Sequence, residues 1–263
     1  SWTSAPTPTV PMGLGLAFEG CAGRAACHAG VAVQCHENGL QPACVTGASS
    51  GSIVAALVAD GHAERLPDIW MTAAGKPVFQ PRRVLRGSWP WAMSSIVGDA
   101  LEAVFGARRL TSLKLPIGIP VTFLGARGRS RRLLTRDDDV SVVEAVLASC
   151  FIPGPYSRWI RIGGRYAWDG AWDIRVPIEC AVSLGASQVV AVVANETGTL
   201  LHGFPGKPVA QPARCVVVSP DSPLPIGAWD TDPANIRAAL AAGRRAARAL
   251  APVTPASAAD QSP

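Results

Sequence analysis

Hydrophobic and polar positions follow two rhythms along this chain. A short apolar run, Leu14–Phe18, gives way to small residues at Glu19–Gly23, and a helical period then runs from Arg24 to Gly39. That order predicts strand, turn, helix. The grammar repeats at once: Ala43–Thr46 reads as a short buried strand, Gly47–Gly51 as a turn, and the apolar stretch from Ser52 to about Gly61 as a helix. Two consecutive units of this kind imply a mostly parallel sheet with helices on its faces, an α/β fold. From His62 to Pro116 the pattern is helical but broken by the Pro-, Arg- and Trp-rich segment Lys76–Trp91. Pro120–Leu124 and Arg131–Thr135 flank a polar turn, Gly125–Ser130, and predict a hairpin. Val140–Ser149 is helical, Arg158–Ile162 and Arg165–Trp168 form a second short pair, and Gln188–Val193 and Cys215–Val218 are apolar strands. Pro233–Leu250 closes the pattern as an Ala/Arg-rich helix.

Composition narrows the class. The chain has 263 residues, 48% of them hydrophobic, enough for one sizeable core. The 26 glycines and 23 prolines are too few for a low-complexity chain. The stretches 1–11 and 251–263, rich in Pro, Ser, Thr and Ala, read as flexible tails around one catalytic-sized domain, 12–250. No apolar run approaches the ~18 residues that a spanning helix needs. A net charge of +5 is too weak and scattered to argue for nucleic acid, although it favours an anionic surface. The seven cysteines show no C-x-x-C pair and no zinc spacing, so buried free thiols and no metal are expected. Ser1–Pro11 lacks the charged-then-apolar layout of a signal peptide, and a cytoplasmic location is the expectation; a leader already removed would leave the same start.

Gly47-Ala48-Ser49-Ser50-Gly51 is a G-x-S-x-G between a strand and a helix, the setting of a nucleophile elbow. Glycines permit the sharp turn that lifts Ser49 Oγ off the backbone. The helix behind it aims N–H groups, that of Ser50 first, and a partial positive charge at a developing oxyanion. An ordinary Gly/Ser turn with Ser50 or Ser52 as N-cap would look the same. A serine nucleophile needs a base, and the four histidines are poorly placed: His28 and His36 fall in the first helix, His62 just past a helix end, and His202 in a Gly/Pro loop. A Ser-His-Asp triad is not expected.

Asp169-Gly170-Ala171 follows the strand Arg165–Trp168, and with it the chain resembles the patatin-like phospholipases from about Gly13 to Arg248. The resemblance rests on ordered blocks: Glu19-Gly20-Cys21-Ala22-Gly23-Arg24, His28-Ala29-Gly30-Val31, Thr46 to Gly51, Ala148 to Gly154, Trp168 to Ala171, Val176-Pro177 and Leu184-Gly185-Ala186. It implies a three-layer α/β/α fold with a mostly parallel central sheet, and a serine acyl hydrolase acting on lipid or other carboxylic esters. It implies a dyad with Ser49 as nucleophile and Asp169 as base, without cofactor or metal. The oxyanion hole implied is the loop Gly20, Cys21, Ala22 together with the amide of Ser50. Arg24 beside that loop reads as a loop anchor, a substrate-phosphate ligand or a partner in an ordinary structural salt bridge.

Two departures stand out. Cys21 and Ala22 occupy positions where the family commonly has glycine; if the loop needs positive φ there, its donors are misaimed and activity falls. Arg175 stands where the family often has Asn, with no role that the sequence assigns. Arg82, Arg83, Arg86, Trp89 and Trp91 have the composition of an interfacial segment, but with no long amphipathic helix the ordinary loop whose tryptophans cover the core is the favoured reading; weak, salt-sensitive association with anionic membranes is the expectation. Rival readings are a biosynthetic acyltransferase or cyclase on the same dyad, and a degenerate, non-catalytic lipid-binding protein.

Overall fold

The computed structural model describes residues 13–250 apart from 126 and 127; the stretches expected to be tails, and the tip of the predicted hairpin, lie outside the described residues. The two opening units form as the pattern requires. Strand β1 (Gly13–Phe18) leads through a 3-10 turn into helix α1 (Ala25–Glu37), and β2 (Cys44–Gly47) leads directly into α2 (Ser50–Asp60). Helix α2 begins at Ser50, two residues earlier than its apolar pattern, because the whole turn is made at Ser49.

Helices α3 (Leu66–Thr72) and α4 (Met93–Phe105) fill the middle, joined by an exposed segment that contains the 3-10 stretch Pro81–Arg86. Then come β3 (Ile117–Gly125), β4 (Gly128–Leu134), α5 (Val142–Ser149), β5 (Arg161–Ile162) and β6 (Arg165–Trp168). The predicted hairpin is longer than its apolar core, pairing from Ile119↔Leu134 to Gly125↔Gly128. Helix α6 (Ile178–Ser183) and strand β7 (Ala186–Val192) follow. His202, expected in a loop, lies in the two-residue strand β8 (Leu201–His202), which pairs with β9 (Lys207–Pro208). Strand β10 (Cys215–Val218) and helix α7 (Pro233–Ala246) complete the chain; the Asp232 carboxylate caps α7 by accepting from the Ala234 and Asn235 amides.

The strand order is β10-β7-β1-β2-β3-β6-β5, with β4 also paired to β3. β10, β7, β1, β2 and the start of β3 run parallel; the hairpin strands are antiparallel. Helices cover both faces unequally. Leu16, Phe18, Val45 and Ile119 face the large core with α1, α2, α5 and α7, whereas Ala17, Cys44 and Val189 face a small one under the two-turn helix α6. The central parallel strands β1 and β2 are buried on both faces, and their apolar runs are therefore continuous rather than alternating.

Candidate active site

Ser49 sits at the junction of β2 and α2, the end of the sheet where open α/β folds collect their chemistry. Its backbone, at φ 49° and ψ −129°, is strained for a residue with a Cβ. The flanking glycines make this possible: a Cβ on Gly47 would lie 2.2 Å from the Gly51 carbonyl oxygen, and one on Gly51 2.4 Å from that of Phe18. Polar bonds hold the turn. The Ser49 N–H donates to Ser149 Oγ at 3.0 Å, Ser149 Oγ donates to the Pro120 carbonyl at 2.7 Å, and Ser52 Oγ donates back to the Ser49 carbonyl at 2.5 Å.

Asp169 arrives by a different route. β2 pairs with β3 at Ile117 and Gly118, while β6 pairs with it further on, at Thr122 and Phe123. Strand β6 therefore ends beyond β2 and delivers Asp169 to the serine. The next residue must be glycine, since a Cβ on Gly170 would fall 2.0 Å from the Pro120 oxygen. Ser49 Oγ donates to Asp169 Oδ2 at 2.6 Å, and Oδ1 accepts the Ala171 N–H at 2.7 Å. Both side chains are buried, Ser49 at 7% exposure and Asp169 at 2%. Burial pushes the Asp169 carboxyl up to about 7, against the opposing hydrogen bonds from Ser49 and Ala171. That is near the optimum for a general base at neutral pH.

The glycine-poor loop reaches its shape with one strained residue. Cys21 lies at φ −146°, which any residue adopts, and Ala22 at φ +55°. The Gly20 N–H donates to the Arg175 carbonyl at 2.9 Å, Cys21 N–H to Ser50 Oγ at 3.3 Å, and Gly23 N–H to the Ala228 carbonyl at 2.8 Å. The amides of Ala22 and Ser50 have no protein acceptor among the described residues. The loop's root is held by a buried ion pair: Arg175 Nε donates to Glu19 Oε1 at 2.7 Å, and Glu19 Oε2 accepts the Ala194 N–H at 2.7 Å. Arg24 is exposed, has no carboxylate within 4.0 Å among the described residues, and lines a separate polar cleft with Glu19, Arg175 and Glu196.

No histidine bonds to Ser49 or Asp169 among the described residues. His28 lies fully buried in α1, with Cys21 Sγ 3.8 Å from Nε2 and the Phe18 ring 6.2 Å away, and desolvation lowers its pKa to about 3. Glu19, Cys21 and His28 present ligand atoms within 4.8 Å of one another, a metal-like trio among the described residues. Both Glu19 oxygens are already bonded, and the Arg175 guanidinium already supplies the positive charge.

In front of Ser49 opens a cleft of about 830 Å³, its mouth included, lined chiefly by apolar side chains such as Ile53, Ile69, Val97, Leu101, Ile152 and Ile236. Ala22, Gly23 and Ser50 border it beside the serine.

The model of the patatin-like phospholipase family matches residues 16–182, more than half of the chain. The chain belongs to that family. Its structure is similar to that of VipD from Legionella pneumophila, at 12% identity and a TM-score of 0.49, over 90% of this chain and 66% of that one. It is similar also to the type III effector protein ExoU, at 14% identity and a TM-score of 0.45, over 90% of this chain and 52% of that one. The patatin-like chain thus spans between half and two thirds of each of those proteins' lengths. No helix among its described residues is long and apolar enough to cross a membrane.

Two contributors to this patatin-like site had no assigned role in the sequence. Arg175 clamps the loop, and its only signal was a departure from the family pattern. Ser149 braces the elbow, and its signal was a hydroxyl closing an otherwise apolar helical run, Val142 to Ala148 broken only by Glu144.

Proposed function

We propose that the chain is a serine lipid acyl hydrolase that works through an acyl-enzyme. The observation that carries this reading is the 2.6 Å hydrogen bond to a buried Asp169 from the Oγ of Ser49, which lines an apolar cleft. As Ser49 Oγ bonds to the ester carbonyl carbon, its proton passes to Asp169 Oδ2. The oxyanion is met by the free amides of Ala22 and Ser50, and the Cys21 amide joins them if it releases Ser50 Oγ. The start of α2 adds its partial positive charge. Collapse expels the alcohol, which takes the proton from Asp169. Water then gives its proton to the same carboxylate as it attacks the acyl carbon, and the acid leaves with Ser49 restored.

The apolar cleft fits an acyl chain, and the family membership supports a lipid substrate. Against a decayed site stands Ala22: it takes the positive φ expected of a glycine, and the loop keeps a free donor beside Ser49. A fluorophosphonate probe tests the proposal. Covalent labelling of Ser49, lost in Ser49→Ala together with hydrolysis of a short soluble ester, is the expected result; a folded, unlabelled and inactive wild type would reject it.

A further inference from the structure

The segment that resembled either an interfacial lid or a core cover divides between the two: Val78 is buried and Trp91 packs beside it with Ala92 and Ile96, while most of residues 79–89 stay at the surface. Among residues 79–89, Leu85 is 87% exposed, Val84 57%, Phe79 51% and Trp89 50%. This is a cluster of large apolar groups at the surface, flanked by the exposed Arg82 and Arg86. A second exposed cluster lies on the hairpin sheet. Strand register places Arg131, Thr122 and Trp168 side by side, and Arg161 directly opposite Tyr166. Side chains two residues apart share a face, so Arg129, Arg131, Tyr166 and Trp168 all stand on the same side. There Arg161 stacks over Tyr166 at 4.3 Å, Arg129 approaches Trp172 at 5.7 Å, and Trp159 packs edge-on against both Tyr166 and Trp168.

Hydrogen bonds join the segments that carry the two clusters. Trp89 Nε1 donates to the Gly154 carbonyl at 2.6 Å, Met93 N–H donates to the Pro155 carbonyl, and Ser94 Oγ accepts the amides of Ser157 and Arg158, one residue from Trp159. Among the described residues, Arg82, Arg86, Arg131 and Arg161 have no carboxylate within 4.0 Å, and Arg129 has only Asp173 at 3.8 Å. Val78, Met93 and Ile152, from the same stretches of chain, line the cleft in front of Ser49.

We infer that this belt is a docking surface for a phospholipid bilayer carrying anionic headgroups. Leu85, Val84 and Trp89 enter the headgroup layer, and Arg129, Arg131, Arg161, Arg82 and Arg86 meet its phosphates. The charge pattern selects this occupant: unpaired guanidiniums beside exposed Trp and Leu fit a surface that is anionic outside and apolar beneath. The inference rests on the lipid-hydrolase reading for its purpose, since docking would bring acyl chains to the cleft, but not for its test. It also alters the expectation drawn from charge alone. An inserting Leu85 makes part of the binding insensitive to salt.

The test uses Ser49→Ala protein, so that vesicles survive and binding is read without catalysis. Co-sedimentation with phosphatidylcholine vesicles, with and without about one third phosphatidylserine, is followed across a salt series, with quenching of tryptophan by brominated lipid. Binding to the anionic vesicles is expected to fall about tenfold or more in Arg129→Glu/Arg131→Glu/Arg161→Glu. Leu85→Asp should abolish the binding that remains at high salt, along with the quenching. In the Ser49 background, both variants should hydrolyse a short soluble ester within about twofold of the wild type. Equal binding by the variants, no binding of folded protein to any vesicle, or burial of the belt in a self-associated dimer would each overturn the inference.

Discussion

The Ser49 turn and the loop in front of it solve similar backbone problems with different residues. At the elbow, Gly47 and Gly51 are enforced by neighbouring main chain, since any Cβ would sit 2.2 to 2.4 Å from a carbonyl oxygen. At the loop, Ala22 takes φ +55° with no such obstruction, at a strain of about 1 to 2 kcal/mol. The loop is then held by side chains, through Glu19 and Arg175. A glycine demanded by a close approach is hard to replace, whereas one demanded only by φ can be traded for local strain and an external clamp.

The largest effect should come from the dyad itself. Ser49→Ala and Asp169→Asn are each expected to lower hydrolysis of a soluble ester by about 10³-fold or more while leaving the fold intact by circular dichroism. His28→Ala should retain measurable turnover, because that imidazole is neutral and buried away from the dyad; complete loss in a folded variant would bring back a triad.

Breaking the clamp comes next. Glu19→Ala leaves Arg175 unpaired at 16% exposure and should destabilise the protein by about 3 kcal/mol or more. Its kcat should drop about tenfold or more as the loop amides lose their aim. Unchanged kcat in the folded fraction would show that the loop holds itself. Gly51→Ala, in contrast, should destabilise by about 3 kcal/mol through overpacking alone, read by urea denaturation. A cost below about 1 kcal/mol there would erase the distinction between the two regions.

A pH series sharpens the site's electrostatics. Asp169 must be ionised to accept the serine proton, so activity should rise with pH through a midpoint near 7. Stability should move the other way. The folded state keeps the carboxyl proton up to about pH 7, while the unfolded chain releases it near 3.8, so wild-type stability falls as pH climbs through that window. The loss relative to Asp169→Asn is on the order of 4 kcal/mol and levels off above pH 7. Parallel stability curves for the two proteins would remove burial as the source of the shift.

The smallest effect belongs to Ala22→Gly. Relief of strain and the added freedom of the unfolded chain nearly cancel, so stability should change by less than about 1 kcal/mol and kcat by less than about twofold. Cys21→Gly should bring no gain, because φ −146° asks nothing of glycine and the contact with His28 is lost. A large rise in kcat from either would mean that the native loop is misaimed after all.

Much of the molecule was written locally. The two opening β-turn-α units, the hairpin, the late strands and the closing helix all follow from apolar period and glycine position. The G-x-S-x-G in its strand-to-helix setting marks Ser49 in the sequence alone. Asp169 was legible only through the family resemblance, because an Asp-Gly-Ala turn carries no chemistry of its own. Tertiary structure decided the rest. It was the pairing of β6 with β3 beyond the reach of β2 that set Asp169 against Ser49, and burial that raised its pKa; neither register nor desolvation is a property of nearby residues in the chain. The partnership of Glu19 with Arg175 spans 156 positions, and nothing in the local pattern of either announces the other.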